Sequence, residues 1–149
     1  MVRVEKILFP CDFTENASKV LPYVLSMAEQ YKSQVYILYV DELQKWGGHF
    51  IPHTSLETLR QESLKAAEKA MDKICEEALQ SCPNFQRKIV SGDPAVEILK
   101  LVESEGIDLV VMGTHGRKGL EHAIFGSVAE NVVKKSPIPV LIVNPYKVG

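Results

Sequence analysis

The sequence predicts a doubly wound α/β domain, and three observations carry that prediction. Five short runs rich in β-branched residues alternate with four longer stretches of helical periodicity. The second and fourth runs are apolar almost throughout rather than alternating, as strands are when a parallel sheet is covered on both faces. No repeat, low-complexity tract or second domain interrupts the order, so residues 1–149 read as one domain. A β-α-β-α-β-α-β-α-β chain closes through right-handed crossovers into a parallel sheet.

The first strand is expected over Val4–Phe9, ended by Pro10, Cys11 and Asp12. Thr14 suits an N-cap, and Glu15 then stands in the first turn, where a carboxylate suits the helix dipole. Ala17, Val20, Leu21, Val24, Met27, Ala28 and Tyr31 recur at helical spacing. Pro22 falls inside that helix and should kink it or shift its start, since an interior proline costs about 3 kcal/mol. Gln34–Val40 is the second strand, followed by a loop over Asp41–His53 made pliable by Gly47 and Gly48.

Thr54 with Glu57 has the spacing of a capping box, opening a helix that runs to about Ser81. Its buried stripe is expected at Leu56, Leu59, Leu64, Ala67, Met71, Ile74 and Ala78. Phe85–Val90 is shorter and more polar, which suits a sheet edge. Asp93 and Pro94 place an N-cap and a first-turn proline at the head of the third helix, and Gly106 closes it. Asp108–Met112 is the fourth strand, Gly113–Gly126 a loop, Ser127 to about Ser136 the fourth helix, and Pro139–Val143 the last strand.

The composition, 46% hydrophobic and 24% charged, is that of an ordinary soluble domain. A formal net charge of −2 gives no support to nucleic-acid binding or to an anionic membrane surface. No apolar run approaches the roughly 20 residues of a membrane span, and Met1–Asp12 has charges where a signal peptide would not. The cysteines are Cys11, Cys75 and Cys82. On one straight helix Cys75 and Cys82 stand about 10.5 Å apart, beyond the roughly 7 Å a disulfide spans. Reduced thiols and a cytoplasmic location are expected.

Ligands of open α/β sheets bind beyond the carboxyl ends of the strands, where strand order reverses. Asp12, Asp41, Gly92 and the loop from Gly113 all follow a strand directly. That loop carries Gly113, Gly116 and Gly119, then Gly126 and Ser127 at the head of a helix. Glycines admit a phosphate close to backbone N–H groups, and a helix N-terminus offers unsatisfied N–H groups and a favourable dipole. The same residues also read as simple turns, with Ser127 and Glu130 as a capping box. No lysine precedes Ser127, so this is not a Walker loop, and neutralising charge falls to Arg117, Lys118, a helix end or a metal.

The spacing Gly-x2-Gly-x9-Gly-Ser at Gly113, Gly116, Gly126 and Ser127 resembles the nucleotide-binding signature of the universal stress proteins. The resemblance extends to Ile7–Asp12, Gly92–Pro94, Asp108–Gly113 and Pro137–Val143, and so covers the chain. It implies five strands in the order 3-2-1-4-5, with ATP across the switch between the first and fourth. It further implies Pro10, Cys11, Asp12 and Val40 around adenine and ribose, and Met112, Gly113, His115 and Gly116 near ribose and phosphates. Gly126, Ser127 and Val128 would hold the phosphate tail. A homodimer through antiparallel pairing of Val140–Val143 is implied as well, and an apolar edge strand does call for cover.

Asp12 and Asp41 offer carboxylates for a magnesium ion held through the phosphates, although Asp12 equally suits a turn. His115 suits either a phosphate donor or a loop-packing group, and Cys11 a small buried hydrophobe. His49 and His53 have a helical metal spacing, but Pro52 and the nearby glycines argue against a helix there. Three functions follow. The leading one is a nucleotide-binding regulatory protein of the stress response; the others are a slow magnesium-dependent ATP hydrolase and a dimeric module that uses no nucleotide.

Overall fold

The structure is a computed structural model that describes residues 1–42, 53–79, 84–116 and 125–148. Its elements are β1 (Lys6–Pro10), α1 (Glu15–Tyr31), β2 (Gln34–Asp41), α2 (His53–Leu79), β3 (Phe85–Ser91), α3 (Pro94–Glu105), β4 (Leu109–Gly113), α4 (Ser127–Lys135) and β5 (Val140–Val143). All pairings are parallel, and the strand order is β3-β2-β1-β4-β5. The chain thus winds outward from β1 to β3, then returns and builds β4 and β5 on the other side of β1.

Side chains alternate across the strands and sort the core into two halves. Ile7, Phe9, Val35, Ile37, Leu109 and Val111 face α1 and α2, packing on Val20, Val24 and Met71. Leu8, Tyr36, Leu38, Val110 and Met112 face α3 and α4, packing on Ile98, Val102 and Val132. Helices cover both faces, which is why the central strands are apolar at nearly every position.

Strand ends differ from expectation by one or two residues, each for a visible reason. The Asp108 carboxylate accepts from the N–H groups of Glu5 and Lys6 at 2.9 and 3.0 Å, so it clamps the sheet's lower edge and β1 pairs only from Lys6. For the same reason β4 begins at Leu109, while its end on Gly113 follows from pairing with Val143 of β5. Asp41 and Ser91, expected in loops, extend β2 and β3 as a registered pair.

Helix boundaries follow the capping residues. Thr14 caps α1, its hydroxyl accepting from Ala17 N at 3.4 Å, so Pro22 does not shift the start. Pro22 is exposed, and the carbonyl it leaves without a donor belongs to exposed Ser18. Asp93 caps α3, and Gly106 ends it in the left-handed region at φ 64°. Helix α2 begins at His53, so Thr54 lies within its first turn instead of preceding it.

Along α2, Ala67, Met71 and Cys75 are buried while Leu59, placed in the stripe by its apolarity, is 42% exposed. At 100° per residue Leu59 sits about 80–120° round the helix from Ala67 and Met71. His49, Cys82, Arg117, Lys118 and His122 lie outside the described residues.

Gly92 joins β3 to α3 at φ 149°, a conformation side-chain-bearing residues rarely adopt, and its N–H donates to Asp41 O at 2.9 Å. A Cβ there would stand 2.8 Å from Glu97 Oε1. Gly92→Ala should therefore destabilise the fold by about 1–3 kcal/mol, read as a lowered urea midpoint with unchanged m-value. An unchanged midpoint would contradict this account of the turn.

Candidate functional site

The strand order reverses between β1 and β4, so their crossovers leave on opposite faces and the sheet's upper edge opens there. A cavity of about 760 Å³ occupies that opening, within the range of small-molecule sites. Its wall includes all eleven residues that the family resemblance assigns to a nucleotide, Pro10, Cys11, Asp12, Val40, Met112, Gly113, His115, Gly116, Gly126, Ser127 and Val128, together with Asp41 but not Gly92. The two sides differ in chemistry. One is an apolar slot of Pro10, Cys11, Val40 and Met112, and the other is a backbone-rich corner where the Gly113 turn meets α4.

The corner is built by short backbone contacts. Thr114 N donates to Val143 O at 2.9 Å, which carries the β4–β5 ladder one residue past the strand. Gly126 N donates to Thr114 O at 2.7 Å, drawing the head of α4 onto the turn. A Cβ on Gly126 would lie 3.1 Å from that same carbonyl, so a larger residue loosens the seam. Gly126 is also the N-cap of α4, and having no side chain it offers no cap hydrogen bond to the helix. The first N–H groups of α4 thus face the cavity corner with the favourable end of the helix dipole.

Ser127 is the first residue of α4, as the expected helix start has it, so the alternative of a Ser127–Glu130 capping box does not apply. Glu130 pairs with Lys134 one turn on, at 2.9 Å, and this ammonium holds its carboxyl below the usual range. The negative charge is directed along the helix surface rather than back to its N-terminus.

Asp12 joins the two sides. Its Oδ1 accepts from Thr14 N at 3.0 Å and from Thr14 Oγ1 at 2.5 Å, a turn that also sets the cap of α1. Oδ2 points across to the Gly113 turn, and a Cβ on Gly116 would stand 2.7 Å from it. Phe13 takes the left-handed conformation at φ 61° to make this turn, and its ring stacks on Tyr39 with centroids 4.8 Å apart. Such strain at a cavity rim is where functional sites often hold it. Asp41, 3% exposed, also lines the cavity.

His115 is 4% exposed, with Nδ1 2.7 Å from Thr114 Oγ1 and its ring tilted against Tyr146. It lines the cavity, and its visible contacts are those of a loop-packing group. Thr114, Tyr146 and Asn16 were not picked out from sequence. Only the Asn144–Pro145 turn signal after β5 could have pointed to a returning tail. Among the described residues no cluster of three or more His, Cys, Asp or Glu side chains could hold a metal ion.

The geometry defines a class: a doubly wound α/β domain with a ligand cavity at its switch point, one side apolar and the other receptive to an anion. A model described as the universal stress protein family matches residues 3–144, and the chain belongs to that family. The universal stress protein MJ0577 of Methanocaldococcus jannaschii is 34% identical over 155 residues, covering 95% of this chain and 96% of that protein. The solved structure of MJ0577 matches with a TM-score of 0.76 over 96% of this chain and 97% of the other, at 34% identity. UspA from Lactobacillus plantarum matches at 0.85 with 23% identity, over 97% of this chain and all of that one. Two further structures share the fold: an Archaeoglobus fulgidus universal stress protein in complex with dAMP, and a universal stress protein in complex with cAMP. Their TM-scores are 0.68 and 0.63, at 16% and 17% identity, over 97% and 96% of this chain and 100% and 98% of theirs.

Cys11 and Cys75 are buried thiols, and no described helix is long and apolar enough to cross a membrane. Burial pushes the Cys11 thiol up to about 12, with the Asp12 carboxylate adding to the rise and the Phe13 N–H opposing it. The folded state holds this proton more tightly than the unfolded chain does. Its contribution to stability is therefore complete below about pH 9 and lost as the pH climbs toward about 12. Cys11→Ala should show a shallower loss of stability over that window than the wild type, measured by urea denaturation at stepped pH. Equal slopes would mean the thiol is not held protonated by the fold.

Proposed function

We propose that this chain binds an adenine nucleotide, ATP foremost, across the β1/β4 switch point and acts as a cytoplasmic regulator in stress response. The observation that carries the reading is the meeting of Asp12, Gly116 and the side-chain-free head of α4 at one corner of the cavity. A flat base fits the apolar slot of Pro10, Cys11, Val40 and Met112. Asp12 stands where it can accept from ribose hydroxyls, and the phosphates lie against Gly113, Gly116, Gly126, Ser127 and Val128. His115 lines the cavity beside them, its ring held by Thr114 and Tyr146. The dAMP and cAMP carried by two relatives of the same fold support an adenine nucleotide as the ligand.

Binding is favoured over turnover because Asp12 Oδ1 and His115 Nδ1 are already engaged in shaping the site. Thr14 fixes Asp12, and Thr114 with Tyr146 packs His115. Magnesium suits a single carboxylate with phosphate oxygens and water completing its shell, and Asp12 is the carboxylate that faces the turn. An ion there would neutralise phosphate charge. Calorimetric titration should then show ATP bound more weakly when magnesium is removed by EDTA, while adenosine is unaffected. Equal ATP affinity with and without magnesium would remove the ion from the reading.

The same titration tests the site itself. One ATP per chain is expected. Gly116→Val should weaken it about a hundredfold or more, since a side chain there displaces Asp12 and costs about 3 kcal/mol. Displacing Asp12 also loosens the turn into α1, so the thermal midpoint should fall by a few degrees while the chain stays folded. ATP binding unaltered by Gly116→Val would place any nucleotide elsewhere. We further propose that β5, an edge strand left half-buried by this chain alone, pairs with a second copy along Val140–Val143. Sedimentation equilibrium should return twice the chain mass, and a monomer at all concentrations would exclude that pairing.

A further inference from the structure

We propose that Tyr146 and Asn16 latch the Gly113–Gly116 turn, making the segment after β5 a positioning element of the ligand site. The identity of the ligand rests on the nucleotide reading above; the latch rests on its own contacts. Asn144 Oδ1 accepts from Tyr146 N at 3.0 Å, and Lys147 N donates to Asn144 O at 3.1 Å. This turn folds the tail back toward the top of α1. The Tyr146 ring then meets His115 with centroids 5.1 Å apart and planes 57° apart. Asn16, in the first turn of α1, reaches both partners with one amide. Its Nδ2 lies 3.4 Å from Gly116 O and 3.5 Å from the Tyr146 hydroxyl, donating toward each.

These are long hydrogen bonds, one available from each N–H of the Asn16 amide. Their value lies in what they hold. Gly116 has no side chain of its own to fix it, and it stands at the phosphate end of the cavity, away from the apolar slot. The preceding residue is fixed from both sides, by Thr114 and by Tyr146. Tyr146, outside the cavity wall, is therefore a positioning residue, and Asn16, which also lines the cavity, positions Gly116, so the Tyr146→Phe variant is the one that isolates the latch. They act through His115 and Gly116 on the phosphate side of the site, leaving the base side to the strand ends.

A merely structural role would lower stability and weaken every ligand alike, whereas the latch acts on one end of the cavity. Tyr146→Phe keeps the ring on His115 and removes only the hydroxyl; Asn16→Ala removes the shared donor. Amide hydrogen exchange of the ligand-free protein should quicken at residues 113–116 in both variants, by about fivefold, the size of one hydrogen bond's net contribution. The rest of β4 and α1 should be unchanged. In titrations ATP affinity should fall by a similar factor while adenosine affinity stays constant. Unchanged exchange at 113–116 in both variants, or equal losses for ATP and adenosine, would overturn the latch. Faster exchange in a protein that binds neither ligand would uphold the latch and overturn the nucleotide reading.

Discussion

The reversal of strand order at β1 is the constraint on which the rest of this structure depends. Strands β2 and β3 build outward on one side and β4 and β5 on the other, so α1 and α4 lie on opposite faces. A crevice between them follows from topology, before any side chain is chosen. The side chains then decide what enters it. Apolar residues near the ends of β1, β2 and β4 line one side, where these strands pass from the buried core to half-buried positions. The other side is mainly backbone, because Gly113, Gly116 and Gly126 keep side chains away from the corner.

Close approach links the two sides. Asp12 serves the fold and the cavity at once: one oxygen organises the turn into α1, and the other faces Gly116 across a gap too narrow for a Cβ. Gly126 similarly brings α4 to the Gly113 turn through a single 2.7 Å bond. The cavity surface is thus assembled by one contact between segments more than a hundred residues apart, Asp12 with Gly116, and one within the Thr114–Gly126 stretch. A small displacement at either of them changes its shape more than it changes the stability of the sheet.

Much of this was legible in the sequence because the signals were local. Apolar continuity in Gln34–Val40 and Asp108–Met112 gave buried parallel strands, and Thr14, Asp93 and Gly106 marked helix ends through their own capping chemistry. The glycine spacing from Gly113 to Ser127 located the candidate site, whose eleven residues converge on one cavity. Other features depended on tertiary contacts. Asp108 leaves the strand because its carboxylate is used by Glu5 and Lys6 across the sheet. Leu59 is exposed because it lies about 80–120° round α2 from Ala67 and Met71, which face the core. Tyr146 and Asn16 carry no motif, and 130 positions separate them. Neither residue announces that the tail returns to the Gly113 turn.

The central claim is that an adenine nucleotide occupies the crevice at the β1/β4 reversal, with its phosphates at the head of α4. Nitrogen-edited NMR of the full chain during addition of ATP tests it most directly, since backbone amides report the place of binding as well as its strength. The account predicts the largest shifts at Cys11, Asp12, Gly113, Gly116, Gly126 and Ser127, with the amides of β3 nearly still. A spectrum unmoved by saturating ATP, or shifts gathered on α2 and β3 instead, would contradict it.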